Sequence, residues 1–241
     1  MLASSLARIE SELPADGLVL DVGGWGRPLA RADWVIDLMP HDTRGLYGRD
    51  GTGEERFSAD TWVQRDVCAH DPWPFADGQF DFAVCSHTLE DLRDPVRVCE
   101  ELARVAKAGY VEVPSRLEEQ SPMADQPGVG WSHHRWLIDV DPEAASMEFV
   151  FKHGVVHSSA DAQFPPGFHA TLSAEERVST LWWEGDLAAR ERVMMSAEEL
   201  DPYLTGFVDR ELARRGMRRP SRARRLAQRT QRALASLRQP S

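Results

Sequence analysis

The sequence is short of cysteine, of long apolar runs and of repeats, and each shortage removes a class of protein. Cys68, Cys85 and Cys99 are an odd number of thiols without framework spacing, which excludes a disulfide-built scaffold and points to a reducing compartment. No stretch approaches the ~18 apolar residues of a membrane-spanning helix. The opening run MLASSLARIESEL carries acids where a secretory leader needs an apolar core. A cytoplasmic protein is therefore expected. No segment repeats at a fixed period and no low-complexity stretch precedes the tail, which sets aside solenoids and propellers.

What is present suits a soluble globular protein. The 241 residues, 42% hydrophobic and 28% charged, describe one full domain with additions. The net charge of −11 is unevenly spread: residues 206–241 hold eleven Arg and two acids, net +9, leaving −20 on residues 1–205. An acidic body repels phosphate backbones and argues against nucleic acid as a partner of the main domain. Charge thus divides the chain into a domain at 1–205 and a basic helical tail at 206–241.

Apolar periodicity gives the organisation. Leu2 to Leu13 has helical spacing and ends at Pro14-Ala15-Asp16-Gly17. Short buried-strand patterns follow at 18–22, 34–37, 61–67, 80–85 and 110–114, with a helix at 94–106 and a long loop at 38–60. Strands alternating with helical segments imply a Rossmann-like parallel sheet with flanking helices. Trp34 comes only eight positions after Gly26, too few for a full crossover helix, so the first helix is expected to shrink to about a turn. Beyond 115 the rhythm becomes β-rich: a strand at 147–152, a hairpin at 178–194 turning at Glu184-Gly185-Asp186, and a helix at 196–215 interrupted at Asp201-Pro202. The expectation is an α/β core at 14–115 with an elaboration at 116–205 that extends the sheet and covers the site.

Three stretches, VLDVGGWG, DPWPFADGQFDFAVCSHTLEDLRDP and ELARVAKAGYVEVPS, resemble class I S-adenosylmethionine (SAM)-dependent methyltransferases of the broad small-molecule type. They lie between residues 17 and 115, in the family's order. A downstream Ser132-His133-His134-Arg135-Trp136 resembles a His-Arg-Trp found in part of the family. The resemblance implies SAM as cofactor and a methyl acceptor that is a small molecule or saccharide, with oxygen the preferred atom. The alternative is a catalytically silent partner protein that binds SAM or S-adenosylhomocysteine (SAH).

The resemblance also implies site residues. Gly23, Gly24 and Gly26 would let backbone approach the amino-acid end of SAM, and Asp21 would hold its ammonium directly or through water. Asp37 would accept both ribose hydroxyls; Asp66 would accept from the adenine amino group, with the Val67 amide toward a ring nitrogen. Ser86 and His87 follow the fourth strand, where the transferred methyl emerges. His87 is the general-base candidate, since imidazole titrates near neutrality. His134, with His133 and Arg135, could reach the same pocket as a base or an anion clamp. Two departures stand out: Trp25 replaces a usual glycine, and Asp91 stands where many relatives have histidine.

No metal is expected. Cys68-Ala69-His70 and Cys85-Ser86-His87 repeat a Cys-x-His spacing, but only His153 and His157 match a common zinc pair, and they lie at a strand end. In the tail, Leu226, Thr230, Ala233 and Leu237 share a helical stripe flanked by Arg222, Arg225, Arg229 and Arg232. That pattern suits a weak, salt-sensitive contact with anionic lipid or an acidic partner protein, a solvated helix, or docking on the acidic body.

Overall fold

In the computed structural model, which describes residues 1–123 and 128–219, all four residues of β1 (Val19–Val22) are buried. A continuous apolar run belongs to a strand covered on both faces. β2 (Trp34–Asp37), β3 (Trp62–Gln64), β4 (Phe82–Ser86) and β5 (Ala108–Pro114) join it in parallel register, in the order β3-β2-β1-β4-β5. The period of two divides the core. Leu20, Val22, Ala83 and Cys85 face one side, while Val19, Phe82 and Val84 face the other with Ile9 of helix α1 (Ala3–Glu12).

The first side is covered by α2 (Pro95–Val105). Asp94 caps it by accepting from Arg97 N at 3.1 Å, Pro95 opens it, and Val98, Cys99, Leu102 and Val105 are buried. The β1-to-β2 connection contains turns and an isolated bridge from Leu29 to Asp50, without the single helical turn expected. Its amides are satisfied elsewhere: Leu29 N donates to Asp21 at 2.8 Å and Gly23 N to Ile36 O at 3.0 Å.

After the short α3 (Arg116–Glu119), β6 (Trp136–Asp141) and β7 (Ser146–Phe151) pair antiparallel and begin a second sheet. The short α4 (Val155–Ser158) and α5 (Ala174–Arg177) follow. The expected hairpin at 178–194 does not form. β8 (Val178–Glu184) runs antiparallel to β5, and β9 (Ala188–Glu191) leaves to pair with β7. Gly185, at φ +73°, makes the turn that sends the two arms to different sheets. Each arm thereby closes an edge that would otherwise be open.

Helix α6 (Ala197–Arg214) runs through Pro202 without the expected interruption. Leu200, Leu204, Val208 and Leu212 are buried along one stripe, and burial at about 1.5–3 kcal/mol each exceeds the ~3 kcal/mol that an internal proline costs. The 205/206 boundary set by charge falls inside this helix, because packing continues to Leu212. The tail stripe from Leu226 to Leu237 lies outside the described residues. No helix among those described is long and apolar enough to cross a membrane.

Candidate functional site

Parallel strands bring their carboxyl ends to one edge, and the expected cofactor residues gather there. Asp21 and Asp37 stand in β1 and β2, Asp66 and Val67 just beyond β3, and Ser86 at the end of β4. Gly23 and Gly24 follow β1 in a turn that side chains cannot enter. A Cβ on Gly24 would lie 2.2 Å from Asp21 Oδ2; one on Gly23, at φ +78°, would lie 2.2 Å from Thr88 Oγ1. Gly23→Ala is expected to cost about 2–4 kcal/mol through left-handed strain and overlap, read as a lowered urea midpoint. A change below about 0.5 kcal/mol would contradict the cradle.

Burial shapes the acids. Asp21 is pushed up to about 7 by desolvation, with Asp37 and Asp50 adding to the rise and the Leu29 amide opposing it. Asp37 is raised by burial, against hydrogen bonds from Met39 N at 2.7 Å and Trp25 N at 3.0 Å. The Leu38 amide adds a third such bond, which leaves the carboxylate's remaining lone-pair capacity for a hydroxyl. Asp66 is half-buried and already engaged: Arg93 Nη1 lies 2.5 Å from one oxygen and Cys68 N 2.9 Å from the other. The Val67 carbonyl accepts from the Trp73 indole at 3.0 Å. Trp25 is half-buried against the core cluster that holds Ile9 and Val19 and donates to Thr43 at 2.9 Å, while the Tyr47 ring lies over Gly26. A cavity of about 340 Å³ opens beside Arg93, lined also by Cys68, His70, Asp94 and Trp136.

His87 occupies a strained position. Its φ is +52°, and its amide donates to Glu112 O at 2.9 Å. The ring lies between two buried carboxylates, with Nε2 3.2 Å from Glu112 and Nδ1 3.5 Å from Glu90. Burial pulls its pKa down, but Glu112 and Glu90 more than offset this and lift it to about 9. At neutral pH His87 is thus an imidazolium, with no lone pair to accept a proton. This alters the general-base expectation: the residue is in place, but in its acidic form. Glu112 is held at about 2: burial raises it, and hydrogen bonds from His87, Tyr110 and Leu2 N outweigh that. The Met1 amino group lies 3.3 Å from Asp50 and 3.5 Å from Glu112, so the cluster already holds a cation. Glu90 Oε2 is buried with no hydrogen-bond partner among the described residues.

His134 belongs to a different network. Its Nδ1 lies 2.7 Å from Glu119, whose other oxygen takes Lys152 Nζ, and Lys152 also donates to Trp131 O at 2.8 Å. No hydrogen bond or ion pair joins His134 to His87 among the described residues. Arg135 and Trp136 act as a latch: Arg135 N donates to Glu90 O, and Trp136 Nε1 to Leu92 O, both at 2.7 Å. They fix the loop after β4 against β6. Sequence reasoning missed Asp50, Glu112 and Glu119. Only Glu112 left a signal, as an acid inside the apolar strand Tyr110-Val111-Glu112-Val113. His153 and His157 each spend Nδ1 on a backbone amide, from Val155 and Val129.

Residues 47–111 match the family model described as a methyltransferase domain. That stretch runs from the loop before β3 into β5, and the match, with the parallel strand order, is consistent with a class I SAM-dependent methyltransferase. The family's cofactor is SAM. Similar solved structures include a chain of the complex between the Haloferax volcanii Trm112 methyltransferase activator and its candidate methyltransferase. It is 21% identical, with 46% of this chain and 50% of that one covered and a TM-score of 0.34. A candidate methyltransferase of Bacillus halodurans is 22% identical (47% and 52% covered, TM-score 0.33). A SAM-dependent methyltransferase of Thermotoga maritima is 20% identical (49% and 52% covered, TM-score 0.32). The alignments span about half the length of these structures. No curated protein matches the chain.

The residues present fit SAM. A turn bare of side chains adjoins buried carboxylates that can accept from an ammonium and from hydroxyls, and their negative charge suits a cationic ligand.

Proposed function

We propose that the chain binds SAM across the carboxyl ends of β1 to β4 and methylates a hydroxyl of a small-molecule or saccharide acceptor. The observation that supports this most is the alignment of Asp21, Asp37 and Ser86 at the ends of neighbouring parallel strands beside the bare Gly23-Gly24 turn. In this reading Asp21 holds the ammonium and is charged by that contact, since burial alone leaves it near its midpoint at neutral pH. Asp37, oriented by the backbone amides of Met39, Trp25 and Leu38, receives the ribose hydroxyls. Asp66 receives the adenine amino group once Arg93 releases it. Bound SAM supplies a sulfonium-activated methyl, so the protein's work is alignment of the acceptor and, for a hydroxyl, removal of its proton. His87 takes that proton in its neutral form, and His134 keeps the neighbouring loop in place. The core at 14–115 carries the cofactor residues, and 116–205 bounds the acceptor side.

The second reading is a protein that binds SAM or SAH without catalysis. It draws support from Asp66 being engaged by Arg93 and from His87 being protonated at neutral pH. Calorimetric titration of SAM and SAH into wild type, Asp37→Ala and Asp37→Asn tests the shared step. Both ligands are expected to bind, with at least tenfold loss in each variant, about 1.4 kcal/mol. Failure of both ligands to bind would overturn both readings. Binding without SAH production across hydroxyl acceptors, from neutral pH to above 9, would favour the silent one.

A further inference from the structure

Asp91, His133 and His134 each offer one ligand atom, and these atoms lie within 4.8 Å of one another. We propose that they form a binding site for a divalent first-row transition metal of the zinc class, with Glu119 orienting His134. Two imidazoles and one carboxylate are a facial ligand set that leaves positions open for an outside oxygen. Asp91 belongs to the loop after β4, whereas both histidines precede β6, so only the fold unites them.

Three further observations support the site. First, His134 Nδ1 is bonded to Glu119 at 2.7 Å. A carboxylate on one ring nitrogen fixes the tautomer and raises the basicity of the other, as in metal-bound histidines generally. Coordination through Nε2 leaves that bond intact, and Lys152 and Trp131 hold Glu119 and its surroundings. Second, the two ligand-bearing segments are pinned together on both sides of Asp91, through Glu90 O to Arg135 N and Leu92 O to Trp136 Nε1. Third, the remaining adjustment is small. His133 Nε2 and Asp91 Oδ1 are 4.0 Å apart, with side chains 60% and 44% exposed and free to turn. Bonds of about 2.0–2.2 Å to zinc place tetrahedral ligand atoms roughly 3.3 Å apart, within reach of side-chain rotation. His133 and His134 are already packed at 4.5 Å between ring centroids.

The site uses none of Asp21, Asp37 or Asp66, so it stands or falls separately from SAM binding. The test titrates tag-free, chelator-treated protein with Zn²⁺ by calorimetry and with Co²⁺ by visible absorption. One equivalent of Zn²⁺ per chain and a Co²⁺ ligand-field band are expected. Asp91→Asn and His133→Ala, both at exposed positions, should each weaken Zn²⁺ at least tenfold and diminish the band. His153→Ala should leave both unchanged. The proposal is overturned if wild type binds Zn²⁺ no more tightly than the Asp91→Asn/His133→Ala double variant, or if binding is lost with His153→Ala instead.

Discussion

Glu119→Ala is expected to destabilise the protein by about 3–5 kcal/mol, a large share of the ~5–15 kcal/mol that holds a typical domain together. Glu119 and Lys152 have side chains 1% and 2% exposed, and their ion pair is closed by His134 and the Trp131 carbonyl. Removing the carboxylate strands the Lys152 ammonium in the interior with one carbonyl for company. The loss is dominated by that orphaned charge rather than by the worth of the pair, because desolvating two ions offsets most of their attraction. Replacing both partners separates the terms. Glu119→Gln/Lys152→Met keeps the volume, lets the glutamine carbonyl accept from His134, and should recover most of the loss. Urea unfolding of Glu119→Gln, Lys152→Met and the double variant completes the cycle. A Glu119→Ala change of less than 1 kcal/mol at pH 7 would contradict the assignment of this pair as a buried brace for His134.

The sequence exposed the elements whose physics is local. β1 and β4 are short apolar runs buried on both faces, and α2 carries its cap, its opening proline and its buried stripe within thirteen residues. The glycine turn and Asp37 were legible because a short turn between parallel strands fixes where they lie. The split of 178–191 between two sheets was not. An apolar strand, a glycine turn and another short strand read the same whether the arms pair with each other or leave in opposite directions. That choice is made by the edges of β5 and β7, which are distant in sequence. Pro202 misled for a related reason, since a local penalty is outweighed by tertiary burial of Leu200, Leu204, Val208 and Leu212.

The site shows the same division. His87 was legible as a residue beyond β4, but its protonation state was not. That state depends on Glu112, which lies 25 positions away and arrives through the β4–β5 register that pairs Ser86 with Glu112. Likewise, Asp91 stands more than forty positions before the paired histidines, a separation that no metal-ligand spacing would flag. The Arg135-Trp136 latch closes that gap, because Arg135 N and Trp136 Nε1 hold the backbone on either side of Asp91.

If His87 removes the acceptor proton, methyl transfer to a hydroxyl should rise about tenfold per pH unit from 7 and level off above about 9. With a pKa of about 9, only about one molecule in a hundred carries a neutral His87 imidazole at pH 7. The same shift has a sign in stability. A histidine raised above its unfolded value near 6.5 contributes stability that is fully present below that value and is lost as pH climbs through about 9. Glu90→Gln removes one of the two carboxylates that sustain the imidazolium, so the titration and the rate plateau should both move toward neutrality, raising the rate at pH 7. NMR titration of the His87 ring, assigned with His87→Asn, measures the first; SAH release against pH measures the second. A ring midpoint below about 7.5 in the wild type would refute the electrostatic account. A midpoint near 9 beside a rate that is flat from pH 7 to 9 would retain the electrostatics and remove His87 as the base. Glu90, whose Oε2 is buried without a hydrogen-bond partner among the described residues, would then be the carboxylate to examine for that proton.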